Sequence, residues 1–229
     1  MTVHAAPPRL SRGRAAALVV TGMAGVGVVI GGLWAWLAPS VNGVIALNRS
    51  GERVQTYLGG EADHFFVAAF MMLGMLWAVS VVAPVLVWQW RAHRGPLMVT
   101  ALSLGSIGAS AVATASGGAL ARLRYPPVDI DTAPVSPQRR IYYFTEAPSV
   151  FFGSGPLQMA ATLLVPAATA ALVYAVFAVA TIRDDLGGYP PVEPPRLPAP
   201  VAMVPVGEHS ALSGDPMVGE PSAVEPRER

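Results

Sequence analysis

Residues 96–121 read PLMVTALSLGSIGASAVATASGGALA, a stretch without a single Asp, Glu, Lys, Arg or His. As a helix rising about 1.5 Å per residue it is roughly 39 Å long, more than the bilayer core of about 30 Å. Its side chains are also small. Ala101, Gly105, Ala109, Ala113, Gly117 and Ala121 recur every fourth residue, with Ser103, Ser106, Ser110, Thr114 and Ser116 between them. In lipid, close backbone approach and interhelical hydrogen bonds hold helices together, because hydrophobic burial adds little there. Such a helix is predicted to sit at the centre of a bundle or at an oligomer interface. A complementary ridge is read at Gly27, Gly31 and Ala35.

Three further apolar runs flank this one, at residues 15–37, 64–90 and 158–182, and none carries a charge in its interior. The first follows Arg9, Arg12 and Arg14 and so resembles a signal peptide. It exceeds an h-region of about 7–15 residues and ends in Trp34-Ala35-Trp36-Leu37 instead of small residues, so it is read as a retained span. Bulk lies in the second and fourth runs, with Phe65, Phe66, Phe70 and Met72 in one and Leu163, Tyr174 and Phe177 in the other. Pro84 and Pro166 fall inside these runs, where membrane helices tolerate proline and kinks are expected.

Composition agrees with this reading. Of 229 residues, 53% are apolar and only 13% charged, against about 25% charged in soluble domains. The formal net charge is +1, so no strong field recruits nucleic acid. With no cysteine, disulfides, thiolate metal sites and cysteine nucleophiles are excluded. The expected class is an all-α integral membrane protein with four transmembrane helices. Its parts are a cytoplasmic tail at 1–14, a transmembrane domain at 15–188, and a disordered proline-rich tail at 189–229. Pro191 and Pro194 there make a PxxP spacing that arises readily by chance in such a tail.

Four spans put both termini on one side. With the termini inside, Arg9, Arg12, Arg14, Arg91, Arg94 and Arg183 lie inside, and Arg49, Arg53, Arg122, Arg124, Arg139 and Arg140 outside. The count ties. Density favours termini inside, because Arg91 and Arg94 share a very short loop while the outer loops dilute their arginines with acids. Trp34 and Trp36, and Trp88 and Trp90, end the first two spans at depths that indoles prefer. The expected location is the plasma membrane, multi-pass.

The two halves share an order of span, outer loop, span. Tyr57, Glu61 and Ala62 recur 85 positions on as Tyr142, Glu146 and Ala147, with Phe66 opposite Phe151. The identity is low, but the shared order favours two hairpins in a parallel repeat. The first outer loop reads as a β-hairpin, residues 43–47 and 53–58 about an Asn48-Arg49-Ser50-Gly51 turn. The second loop alternates in the same manner at 128–131 and 140–144, so a second hairpin is expected, the two forming one cap.

Chemistry is sparse. Glu61, Asp63 and His64 sit together where the first loop meets the second span, and with Glu146 as a further donor they are the weak candidates for a cation site. The plainer account has Asp63 capping that helix. Asp129 and Asp131 could serve with Arg139 and Arg140 as an ionic lattice within the cap, and the plainer account is a solvated or ion-paired loop. No Walker motif, nucleophile elbow or His-Glu-x-x-His signature occurs. No cofactor is called for, and the chain is not expected to be an enzyme.

The segments Trp34-Ala35-Trp36-Leu37-Ala38-Pro39, Gly51-Glu52-Arg53, Glu61-Ala62-Asp63-His64-Phe65-Phe66, Trp88-Gln89-Trp90-Arg91-Ala92-His93-Arg94-Gly95 and Asp184-Asp185-Leu186-Gly187-Gly188-Tyr189 resemble a mycobacterial family of conserved multi-pass membrane proteins whose domain has no assigned function. The resemblance covers about residues 15–192. It implies an actinobacterial plasma-membrane protein and supplies no catalytic residues. The expected role is a non-enzymatic accessory or scaffold component of the cell envelope. Its partners would be the lipid bilayer and a membrane protein or a second copy. The alternative is a small oligomeric transporter or channel subunit; a sensor or membrane enzyme built on Glu61, Asp63 and His64 is a weaker third.

Overall fold

A computed structural model describes residues 10–181 and Leu186. Arg9, Arg183 and the tail at 189–229 lie outside the described residues. Four helices dominate: α1 (Arg12–Leu37), α2 (Asp63–Trp88), α3 (Pro96–Arg124) and α4 (Pro156–Val179). All four are long and apolar enough to cross a membrane. Three strands, β1 (Val41–Leu47), β2 (Arg53–Tyr57) and β3 (Ile141–Glu146), form one small sheet.

Local chemistry sets the helix ends. The Ser11 hydroxyl accepts from the Arg14 amide at 3.3 Å and starts α1 before the apolar run begins. Pro39 follows its last residues and favours extended backbone at Ala38. Pro96 and Pro156 open α3 and α4 at positions whose amides need no partner. The α2 helix ends at Trp88, short of Trp90, because the chain turns into a 3-10 segment over Arg91–His93. Asp63 is not the expected cap. It lies exposed in the first turn of α2, where its charge suits the helix dipole, and the helix has no side-chain cap.

Packing follows residue size. The most extensive helix contact joins α1 to α3. A methyl group on Gly27 would come 2.5 Å from the Ala109 carbonyl oxygen, and one on Gly31 would come 2.7 Å from that of Ala113. Gly105 meets Met23, and Gly117 meets the Trp34 ring. These partners rise together along both chains, so α1 and α3 run in the same direction. Half of the apolar window of α3 is buried, 50% against 28% in each of the other three, which puts α3 inside the bundle. Ala101 is buried, and Ala35 is half-buried against the Trp34 layer. The α2 helix packs on α4, and both run through buried prolines, Pro84 and Pro166.

The sheet lies at the end where α1 and α3 finish and α2 and α4 begin. β1 is central and antiparallel to both neighbours, in the order β2-β1-β3. The first loop forms its hairpin. Asn48 Oδ1 accepts from the Glu52 amide at 2.9 Å, and Gly51 takes φ +84° to close the turn. The second hairpin does not form. Asp129 Oδ1 accepts from the Asp131 amide at 3.0 Å, which bends 128–131 into a turn. The strand at 141–146 pairs with β1 instead. The ionic lattice is absent too: among the described residues the one ion pair is Glu61 with His64, and Arg140 donates to the Asn48 carbonyl. Val41, Gly43 and Ile45 face inward, and the Phe144 ring lies flush on Gly43.

Candidate functional site

The polar groups collect at the seam between sheet and helices. β1 carries Asn42 on the face opposite Val41, Gly43 and Ile45. The Glu61 carboxylate swings back from the β2–α2 connection and takes two hydrogen bonds from Asn42 on one oxygen, from the amide at 3.0 Å and from Nδ2 at 3.2 Å. His64 Nδ1 lies 3.1 Å from that oxygen and 2.9 Å from the Ser40 carbonyl. Both partners only accept, so Nδ1 carries a hydrogen whether or not the ring is charged. Thr145 of β3 donates to Asn42 Oδ1 at 2.9 Å. One chain of contacts thus joins the end of α1, two strands and the start of α2.

The Glu61 carboxyl is held below its ordinary range, first by the Asn42 amide, with burial opposing and the Asn42 side chain and His64 adding to it. Of the four residues singled out as cation donors, only Glu61 and His64 come together. Asp63 points elsewhere, and Glu146 accepts from the Tyr57 hydroxyl at 3.3 Å. Among the described residues no group of three or more His, Asp or Glu is placed to hold a metal ion. The Tyr57 hydroxyl is pushed up, first by burial and then by the charge and hydrogen bond of Glu146. Tyr57 packs edge-on to Phe65 and Phe144.

Sequence reasoning missed Asn42, Thr145 and Tyr57 as partners. The one local signal was an amide in the middle of an alternating strand, Val41-Asn42-Gly43-Val44.

The opposite end has its own seam. The Arg94 guanidinium lies 4.3 Å over the Trp88 ring, with Nε donating to the Trp88 carbonyl at 2.9 Å and another nitrogen to the Leu186 carbonyl at 2.8 Å. Trp88 stacks on Phe177 and meets Tyr174 edge-on. The Tyr174 hydroxyl accepts from the Gly95 amide at 3.0 Å, where φ of +145° requires glycine. His93 Nε2 lies 3.1 Å from the Leu10 carbonyl.

With this geometry in place, comparison with known proteins adds lineage. Residues 23–188 match the family model described as "Protein of unknown function (DUF2567)". An uncharacterized protein of Mycobacterium tuberculosis is 53% identical over 174 residues, covering 76% of this chain and 90% of the relative. One from Mycobacterium leprae is 51% identical over 182 residues, covering 80% of this chain and 90% of the relative. No solved structure matches the chain.

Proposed function

The chain belongs to the DUF2567 family, and from that premise we propose that it is a non-enzymatic accessory or scaffold protein of the bacterial cell envelope. In this reading the four apolar helices cross the plasma membrane, both termini are cytoplasmic, and the sheet stands outside. Lipid surrounds the helices, and the sheet and bundle engage a membrane protein or a second copy of the chain. The helix pairs α1–α2 and α3–α4 form a parallel repeat of two helical hairpins, a reading supported by the like direction of α1 and α3.

One observation carries the proposal. Both outer loops, separated by two helices in sequence, are knitted into a single sheet and pinned to the helix ends by the Asn42–Glu61–His64 contacts. That makes a fixed surface at one end of an apolar bundle, which suits presentation to a partner. Arg91 and Arg94 at the other end support the orientation.

The cysteine-free sequence permits a direct test. Single cysteines at Ser50 and Ala92 are treated with a membrane-impermeant maleimide in spheroplasts. Labelling at Ser50 alone is expected; labelling at Ala92 alone reverses the orientation, and at both sites it removes the spanning arrangement. Cross-linking in native membranes should then yield one defined partner or a discrete oligomer of the chain. Recovery of monomer only would count against the scaffold role.

A further inference from the structure

Beneath the sheet, between the first turn of α2 and the loop that enters α4, lies an open cleft of about 720 Å³. Tyr57, Phe65, Phe66, Phe151 and Phe152 line it together with one carboxylate, Glu146. A second cleft of about 430 Å³ adjoins it, shares Glu146, Phe65 and Phe151, and adds Arg122 and Tyr125. We propose that these joined clefts bind the headgroup of a zwitterionic phospholipid, its ammonium held by Glu146 and the rings, and its phosphate by Arg122.

The chemistry points this way for three reasons. Glu146 makes no ion pair among the described residues, and its neighbour in the cleft is a hydroxyl, not a cation. A carboxylate ringed by aromatic faces attracts an ammonium, through charge and through the ring quadrupoles. The Tyr57 hydroxyl, raised first by burial, is raised further by the Glu146 charge beside it. Next, a carboxylate followed by a guanidinium matches an ammonium followed by a phosphate. A headgroup with a phosphate and no ammonium would meet Glu146 without compensation.

The third reason is position. The cleft mouth is apolar, with Phe66 58% and Met159 38% exposed, and it opens beside the first turns of α2 and α4. With the helices spanning a bilayer, as proposed above, that level is where headgroups meet acyl chains. Tyr57 and Tyr125 of the two clefts suit that depth, which tyrosine favours.

The test uses the purified full chain in detergent, titrated with phosphatidylethanolamine and phosphatidylglycerol of identical acyl chains and read by native mass spectrometry. The expected preference for the ethanolamine lipid is about tenfold. Glu146→Gln should abolish that preference, weakening the ethanolamine lipid and relieving the uncompensated carboxylate that the glycerol lipid meets, while Arg122→Gln should weaken both. Tyr57→Phe removes the hydrogen bond to Glu146 but keeps the carboxylate and the ring, so it should retain the preference. If Glu146→Gln fails to fold, Phe151→Leu, which keeps the cleft apolar, should lower the preference several-fold. Equal binding of the two lipids by the wild type, an unchanged preference in folded Glu146→Gln, or, where that variant does not fold, an unchanged preference in Phe151→Leu overturns the proposal. With maleimide labelling at Ser50 alone, as expected above, such a result removes the headgroup site and leaves the proposed orientation standing.

Discussion

The indole Nε1 of Trp34 donates a buried hydrogen bond of 2.7 Å to the backbone carbonyl of Ala68, joining α1 to α2. These two helices otherwise touch little. The ring also rests on Gly117 of α3, so one side chain ties three helices together near the sheet. Trp34→Phe keeps most of the ring contact and removes the donor. For helices that span a membrane, as proposed above, interhelical hydrogen bonds average about 0.6 kcal/mol. With the smaller ring, a loss of roughly 1–2 kcal/mol is expected in a reversible detergent unfolding assay. No change in stability would mean that the indole proton adds nothing to the joint.

Gly31 faces α3 so closely that any side chain strikes the backbone at Ala113 and Gly117 and the Ser116 hydroxyl. Gly25, on the same helix, faces open space. Gly31→Leu should therefore cost at least about 2 kcal/mol by forcing the helices apart. Gly25→Ala should change stability by less than about 1 kcal/mol, with helix propensity favouring alanine. Equal effects of the two substitutions in the same assay would contradict the α1–α3 contact.

Acid should loosen the sheet from the helices. The Glu61 carboxyl titrates below its ordinary range, chiefly because the Asn42 amide donates to it. Folding therefore favours the ionised form. This contribution is complete above the ordinary glutamate value of about 4.3 and is lost as pH falls from there through the lowered value. Hydrogen exchange at the Asn42 amide should accelerate across that window, beyond its intrinsic pH dependence. Glu61→Gln should remove the transition. A transition that persists in this variant would assign it to another group.

At the other end, Arg94→Lys separates charge from shape. Lysine keeps the cation but loses the planar stack on Trp88 and the Nε bond to its carbonyl. A destabilisation of about 1 kcal/mol is expected, the scale of a partly exposed cation–π contact. Trp88→Leu removes the ring but keeps the backbone carbonyl, so the cost of Arg94→Lys should shrink in a double-mutant cycle to that of the backbone bonds, and full additivity would deny the coupling.

The four apolar helices were legible in sequence because each depends on a local run of residues, its length and its absent charge, with Ser or Pro opening three of them. The first hairpin was legible for the same reason, since Asn48 and Gly51 close it within a few residues. The pairing of β3 with β1 was not. Asn42 and Thr145 face each other across 103 positions, and alternation at 128–131 imitates a strand until the Asp129 side chain turns the chain. The Glu61, Asp63, His64 and Glu146 set divided on the same ground. Adjacency kept Glu61 with His64, but β3 carries Glu146 to Tyr57, a residue 89 positions away. Local periodicity and composition determined the elements of this protein. Which strands meet, and therefore which side chains share a seam, was decided only when the helices packed and closed the long loops over their ends.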